Sequence, residues 1–217
     1  GVIVLSEPVH VMAWQDLETV YSRPLPEGFA DSGTGKPDSL LAKELERLWE
    51  RHLSWQEILS AKREAYSRRI QQDVALVAGV RGALEYFSTR YPLALATSSP
   101  RREIDTILGG LGLLSLFQEV LTIESVHYPK PDPEIYQKAA ASLKRRPEEC
   151  WVFEDSPAGL ESALGAGAGV IALSTTFPEE YLEGAYTWFP DFQQLGQMSK
   201  IVKKKPCELE SGDQSTS

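Results

Sequence analysis

The sequence predicts an α/β fold in which a doubly wound parallel sheet carries an inserted helical domain. Two observations support this. Short apolar runs that are typical of buried strands alternate with amphipathic helical patterns from residue 78 onward, an order that favours parallel βαβ units. Residues 12–77, in contrast, show helical spacing of their apolar side chains. The predicted strands are 92–96, 120–123, 150–153 and 170–173.

The chain is expected to consist of a core, an inserted domain and a tail. We assign residues 1–11 and 78–199 to the α/β core, 12–77 to the helical domain and 200–217 to a disordered tail, because the tail is polar and poor in apolar residues. Within the helical domain, an amphipathic pattern predicts a helix from Asp38 to Leu53. A capping box, Ser54 to Glu57, opens the next helix.

Composition restricts the classes of function. The chain has 217 residues, of which 42% are hydrophobic, enough for one compact core and a small second domain. Its net charge of −9 argues against nucleic-acid and membrane partners. Two cysteines form no disulfide framework, which favours a reducing compartment. We therefore expect a cytoplasmic monomer that acts on a small molecule, with organelle targeting left open.

Two adjacent carboxylates follow the strand predicted at 150–153. Glu154 and Asp155 stand at its carboxyl end, and Ser156 and Pro157 have the residue types of a helix N-cap and first helical position. Open α/β sheets bind ligands at the carboxyl ends of their strands, so this pair is a candidate site for a hard cation. The alternative is that the helix dipole alone favours acidic residues here.

Hydroxyl groups end the strand predicted at 92–96, and a lysine follows in a proline-rich loop. Thr97 and Ser98 would offer hydroxyl and backbone N–H groups of the kind that hold phosphate. Lys130 has a proline on each side, which restricts its backbone. Each pattern alone is weak, since hydroxyls are common in turns and lysines on surfaces. The three patterns together are a strong signal, because they follow one another along the βα repeats in the order hydroxyl groups, lysine, and the pair Glu154 and Asp155.

These motifs resemble those of the haloacid dehalogenase-like hydrolase superfamily, in its branch of capped phosphatases and β-phosphoglucomutases. Residues 96–99 are similar to the second motif of that family, Lys130–Pro133 to the third and Glu154–Gly159 to the fourth. The resemblance extends to about residue 198. It implies a Rossmann-like core with a helical cap, and a Mg²⁺-dependent phosphatase that acts on a small phosphorylated metabolite through an aspartyl-phosphate.

The resemblance also implies roles for individual residues. Thr97 and Ser98 would bind phosphate, and Lys130 would neutralise charge between the nucleophile and the phosphate. Asp155 would bind Mg²⁺, with Glu154 oriented to the metal directly or through water. In the cap, the resemblance points to His10 and Lys62 as substrate contacts, although packed or solvated roles are favoured over substrate contact for both side chains.

The first motif of the family, Asp-x-Asp-Gly, is represented here only by Gly1, so both aspartates would lie before residue 1. The first is the nucleophile and the second the general acid and base, and we therefore expect the chain as given to be inactive. The strand that carries them is central in the family, so its loss predicts a slot lined by unpaired backbone groups. Insertion of Val2–Leu5 would be one way to fill it.

Two other functions remain open at this stage. One is β-phosphoglucomutase-type phosphoryl transfer, because a fold does not fix a substrate. The other is a non-catalytic protein that keeps the phosphate and metal sites for binding or regulation.

Overall fold

The structure is a computed structural model that describes residues 1–34, 36–50, 52–70 and 74–208. It forms two compact units. The α/β unit comprises Gly1–Ile3 and the chain from Leu76 onward, and the helical unit comprises Val4–Ala75. The helical unit therefore begins earlier than the predicted boundary at residue 12, because the whole first helix packs with the helices that follow it.

The described residues of the helical unit form three α-helices. A two-residue strand, β1 (Val4–Leu5), precedes α1 (Glu7–Tyr21), α2 (Asp38–Leu48) and α3 (Trp55–Arg69). The predicted capping box is confirmed, since the Ser54 hydroxyl accepts from Glu57 N and the Glu57 carboxylate accepts from Ser54 N. The second helix ends earlier than predicted because Glu50 adopts a left-handed φ of 56°, which a continuing helix does not allow.

The three helices share one apolar core. The buried side chains of this core come from all three helices and from the loop after α1: Trp14, Leu17, Phe29, Ala30, Leu41, Ala42, Leu45, Trp49, Ile58 and Leu59. All of these residues belong to the helical unit, so the unit has a hydrophobic core of its own.

The α/β unit follows the predicted alternation of strands and helices. Its elements are β2 (Ala75–Leu76, whose first residue belongs to the helical unit), α4 (Val80–Ser88), β3 (Ala94–Ala96), α5 (Arg101–Gly110), β4 (Glu119–Leu121), α6 (Glu134–Ser142), β5 (Trp151–Glu154), α7 (Pro157–Gly165), β6 (Gly169–Leu173), β7 (Thr187–Phe189) and α8 (Leu195–Val202). All four predicted strands are present, with ends shifted by one or two residues. The pattern did not predict β7, a three-residue strand whose Trp188 is exposed.

The strands of the core form two separate parallel sheets. One consists of β3 and β4, with Leu95 opposite Val120. The other has the order β5-β6-β7, with Phe153 opposite Ile171. Side chains of β5 alternate between the two faces: Val152 contacts the apolar cluster of α6 and α7, whereas the Phe153 ring lies 5.8 Å from that of Phe87 on α4. Helices therefore cover both faces of the sheet.

A cavity of about 630 Å³ lies between β3 and β5. We call this cavity the strand slot. Its lining includes Leu93 to Ala96 from the β3 side and Trp151 to Glu154 from β5. Residues 2–5 do not fill it as a strand: Val4 and Leu5 pair with β2, while the Ile3 carbonyl accepts from Val77 N.

The tail assignment needs correction for residues 200–208. The chain remains helical to Val202 and forms a 3₁₀ turn at Pro206–Glu208. Two contacts hold this segment, because the Trp151 indole N–H donates to the Lys204 carbonyl at 2.8 Å and Lys205 pairs with Glu149 at 2.7 Å. Residues 209–217 lie outside the described part of the chain.

Cys150 and Cys207 are free thiols in the structure. Among the described residues, no helix combines the length and the apolar composition needed to cross a membrane.

Candidate phosphate and metal site

Glu154, the last residue of β5, is almost completely buried and accepts five hydrogen bonds. Its Oε1 accepts from the Lys130 ammonium at 2.5 Å and the Tyr136 hydroxyl at 2.6 Å. Its Oε2 accepts from Asp155 N, Ser156 N and the Ser156 hydroxyl, at 2.9 to 3.2 Å. The glycine at position 159 is required here, because a Cβ at that position would overlap the Glu154 carboxylate.

Lys130 joins the carboxyl ends of β3 and β5. Besides Glu154, its ammonium donates to the Tyr136 hydroxyl at 2.8 Å and to the Ala96 carbonyl at 3.3 Å. Only 10% of the side chain is exposed. Since the last residues of β3 and β5 both meet this one ammonium group, the two strands end at the same edge of the core.

Lys130, Tyr136 and Glu154 form a cluster whose protonation states are determined by its surroundings. Burial alone would raise the pKa of Glu154, but the neighbouring Lys130 ammonium prevails and lowers it to about 2. Burial and the negative charge of Glu154 raise the pKa of Tyr136 well above its ordinary value. Glu154 is therefore an anion and Tyr136 a neutral donor at neutral pH.

The loop that carries Lys130 is anchored on both sides. The Glu134 carboxylate accepts from the backbone N–H groups of His127 and Tyr128, at 2.8 and 3.0 Å. The buried Ser162 hydroxyl donates to the Asp132 carbonyl at 2.6 Å. The loop therefore holds the lysine in place through backbone contacts as well as through the prolines that the sequence shows.

Thr97 and Ser98 continue the chain from Ala96, whose carbonyl contacts Lys130. The Thr97 hydroxyl oxygen accepts from Ser99 N at 3.1 Å, which leaves the hydroxyl proton free to be donated. Ser98 is exposed, and its N–H makes no hydrogen bond within the described part of the chain. These groups can donate to a phosphate oxygen beside the ammonium of Lys130.

Asp155 is buried and lies directly after Glu154. Its Oδ2 is 3.1 Å from the amino group of Gly1, whose carbonyl accepts from the Thr175 hydroxyl. Within the described ranges, no group of three or more His, Cys, Asp or Glu side chains has a geometry suited to a metal ion. A cation at this position would therefore depend on Asp155, together with oxygen atoms from water or a substrate.

The structure thus brings together five of the residues singled out from the sequence: Thr97, Ser98, Lys130, Glu154 and Asp155. Ser156 caps α7, as predicted, because its hydroxyl accepts from Gly159 N.

Tyr136 was not predicted, because a tyrosine on the apolar face of a helix gives no sign that its hydroxyl meets a carboxylate. The one signal in the sequence is that Tyr136 lies only six residues after Lys130.

His10 and Lys62, the two residues expected to contact substrate from the cap, meet inside the helical unit. The Lys62 side chain is 1% exposed, and its ammonium donates to Asp38 at 2.6 Å and to His10 Nδ1 at 2.5 Å. The His10 ring stacks on Tyr66, with centroids 4.1 Å apart. Burial and the Lys62 charge lower the pKa of His10 to about 4, so its ring is neutral with the proton on Nε2.

Comparison with known proteins places the chain in a family. Residues 1–167 match the haloacid dehalogenase-like hydrolase family. The chain belongs to this family, which confirms the resemblance drawn from its motifs and the α/β fold.

Two curated relatives and one solved structure show the range of similar proteins. Validoxylamine A 7'-phosphate phosphatase of Streptomyces hygroscopicus is 30% identical over 90% of this chain and 92% of its own length. Phosphorylated carbohydrates phosphatase of Thermotoga maritima is 33% identical over 77% of this chain and 78% of its own. A putative β-phosphoglucomutase from Thermotoga maritima superposes with a TM-score of 0.81 at 30% identity, covering 93% and 95% of the two chains.

Replacement of Tyr136 by Phe tests the hydrogen bonds of the cluster. The variant keeps the ring but leaves Glu154 with one donor fewer, so we expect the free energy of unfolding to fall by about 1.5–3 kcal/mol, the range for a hydrogen bond to a charged group. Urea titration measures the change. Tyr91→Phe, in a half-buried ring of the same unit, is the matched control and should change stability less. Equal effects of the two substitutions would contradict the assignment.

The neutral state of His10 predicts a pH dependence in the helical unit. Because the folded-state pKa of about 4 lies below the ordinary value of 6.5, the unfolded chain binds more protons between these values. Stability should therefore be full above pH 6.5 and fall as the pH is lowered toward 4. Urea unfolding at pH 7 and pH 4.5 should show a smaller loss for His10→Gln than for the unaltered chain. His52→Gln, on an exposed ring, should lose as much as the unaltered chain.

Proposed function

We propose that this chain carries the phosphate-binding part of a Mg²⁺-dependent phosphatase for small phosphorylated carbohydrates. The observation that supports this most is the position of Lys130, whose buried ammonium contacts the last residue of β3 and the last residue of β5. Thr97 and Ser98 directly follow that last residue of β3 in the chain. The names of the two curated relatives, both phosphatases, support the class of substrate.

Each residue has a role that follows from its contacts. Thr97 would donate its hydroxyl proton, and Ser98 its N–H, to phosphate oxygens. Lys130 would offset the charge that accumulates as the phosphoryl group is transferred. Glu154 would position Lys130 and would not contact substrate. Both of its carboxylate oxygens already accept hydrogen bonds, from the Lys130 ammonium and from the backbone N–H groups of Asp155 and Ser156 just before α7.

Asp155 fits the requirements of a Mg²⁺ ligand better than Glu154 does. Mg²⁺ is bound by one or two carboxylates together with water and phosphate oxygens. The Asp155 carboxylate is buried, whereas both oxygens of Glu154 already accept from donors of the protein. When bound, Mg²⁺ would supply positive charge toward the phosphate oxygens.

In the complete site, an aspartate carboxylate would attack phosphorus to form an aspartyl-phosphate, and a second aspartate would serve as general acid and base. The 217-residue sequence contains no Asp-x-Asp motif. The residues described here would therefore bind and stabilise the phosphoryl group, and the nucleophile would have to be supplied in front of Gly1.

A second candidate is phosphoryl transfer between hydroxyls of a sugar phosphate, favoured by the similarity to the putative β-phosphoglucomutase. The two reactions give different products. Release of inorganic phosphate supports the phosphatase, whereas conversion of one sugar phosphate isomer into another without release supports the mutase. Binding of phosphate without either product, in a chain extended by the aspartates, would support a binding protein.

The unextended chain should show no Mg²⁺-dependent hydrolysis of an aryl phosphate above background, because Thr97, Lys130 and Asp155 can position phosphate but cannot attack it. Colorimetric assay of purified protein tests this. Turnover that disappears in Asp155→Ala would contradict the prediction and indicate a nucleophile within residues 1–217, with Glu7 the first to examine.

An extended chain tests the proposal directly. Addition of an apolar strand ending in Asp-x-Asp before Gly1 should produce activity and raise the unfolding temperature together. The same segment supplies the nucleophile and the backbone hydrogen bonds to the neighbouring strands. In that protein, Lys130→Ala and Asp155→Ala should each lower turnover by about two orders of magnitude or more. Lys200→Ala, an exposed lysine of α8, should leave turnover unchanged. An extended chain that folds yet hydrolyses no phosphate ester in a broad metabolite panel would rule out the phosphatase.

A further inference from the structure

The negative charge of this protein is concentrated in one stretch of the chain. Residues 147–199 contain nine Asp and Glu residues and no Lys, Arg or His. Because the whole chain has 31 Asp and Glu residues and 22 Lys and Arg residues, the two kinds are equal in number outside this stretch. The entire net charge of −9 therefore comes from residues 147–199, and a surface built from them attracts cations.

A groove of about 570 Å³ is lined by residues of this stretch alone. It lies between helix α7 and the turn at residues 179–183, which connects β6 to β7. Three carboxylates line it, Glu161 from the helix and Glu180 and Glu183 from the turn, and its lining includes no cation. The acidic stretch thus forms a concave surface of a single charge sign.

Two apolar side chains in the groove are exposed to solvent. Leu164 of α7 is 40% exposed, and Tyr181 of the turn is 56% exposed. The turn itself is held in place, because Leu182 is buried in an apolar cluster with residues of α6 and α7 and its N–H donates to the Glu179 carbonyl at 2.9 Å. The groove is therefore formed in the free protein, so little conformational entropy is lost when a ligand binds.

The three carboxylates of the groove have no counter-ion in the described part of the chain. Glu161, Glu180 and Glu183 are exposed, and none of them forms an ion pair there. Other surface acids, such as Glu149, pair with a lysine. Basic side chains of a partner would supply the opposite charge, and apolar side chains beside them would cover the exposed part of the groove. A nucleic acid or an anionic membrane would be repelled.

We propose that this groove binds a basic segment of a partner protein. An apolar side chain of that segment packs between Leu164 and Tyr181, and its Lys or Arg side chains face the three carboxylates. The nine residues of α7 span about 13 Å, which matches about four extended residues. Residues 209–217 are not this segment, because they include two acids and no Lys or Arg. The inference does not rest on phosphatase activity.

A synthetic peptide, Arg-Lys-Leu-Phe-Leu-Lys-Arg with an amino-terminal fluorophore and a carboxyl-terminal amide, tests the proposal on the unaltered chain. We expect saturable binding by fluorescence anisotropy, with lower affinity at high salt. Replacement of the four cations by Glu should abolish binding. Replacement of the Leu-Phe-Leu core by Ser-Ser-Ser should weaken it about tenfold. The absence of saturable binding would overturn the proposal, and so would equal binding of the Ser peptide.

Charge reversal in the chain tests the location. The variant in which Glu161, Glu180 and Glu183 are all changed to Lys should bind the basic peptide about tenfold more weakly or less tightly still. The matched control reverses three exposed acids outside residues 147–199, which are Glu27, Glu44 and Glu85. It has the same net charge and should lose about threefold at most. Equal losses in the two variants would show attraction by net charge alone and would overturn the groove.

Substitution of the apolar side chains tests the anchor. Leu164→Ser and Tyr181→Ser should each weaken peptide binding about fivefold, because each removes apolar surface that the peptide covers. Leu48→Ser, at an exposed leucine of the helical unit, should leave the affinity unchanged. All three side chains are exposed, so urea titration should show that the variants remain folded. Unchanged affinity in both groove variants would overturn the apolar contact and with it the proposed mode of binding.

Discussion

The ion pair between Lys130 and Glu154 is the interaction on which the rest of the site depends. A buried carboxylate or ammonium without a partner is costly, and each of these groups neutralises the other. Glu154 also accepts from the backbone N–H groups of Asp155 and Ser156, which directly precede α7. Lys130 also donates to the carbonyl of Ala96 at the end of β3. One pair of charges therefore fixes the relative positions of two strand ends, a helix start and a loop.

This arrangement gives Glu154 and Asp155 different tasks, although they are neighbours of the same chemical type. The pleat of a strand end sends consecutive side chains in opposite directions. Glu154 turns toward α6 and is used within the protein, whereas Asp155 contacts the amino group of Gly1. The two carboxylates that are adjacent in the sequence therefore have different surroundings in the structure: Glu154 is held by donors of the protein on both oxygens, and the Asp155 carboxylate is not part of that set of hydrogen bonds.

Much of the fold could be predicted because local chemistry determined it. The capping box at Ser54, the N-cap at Ser156 and the four core strands each follow from residue types at fixed spacing. Glu50 and Tyr136 could not be predicted, for different reasons. A left-handed φ at a glutamate is imposed by the surrounding chain, and the Tyr136 hydroxyl gains its partner only through tertiary contact. The ordered residues 200–208 depend likewise on Trp151, about fifty positions away in sequence.

The hydrophobic core of the helical unit is formed by residues from one continuous stretch of the chain, Trp14 to Leu59. Contacts of short sequence separation form quickly, because little loop entropy is lost in making them. Residues 4–75 are also synthesised before any strand of the two core sheets. The helical unit can therefore complete its folding during synthesis. The α/β unit must finish later, because its residues 1–3 contact parts of the chain beyond residue 75.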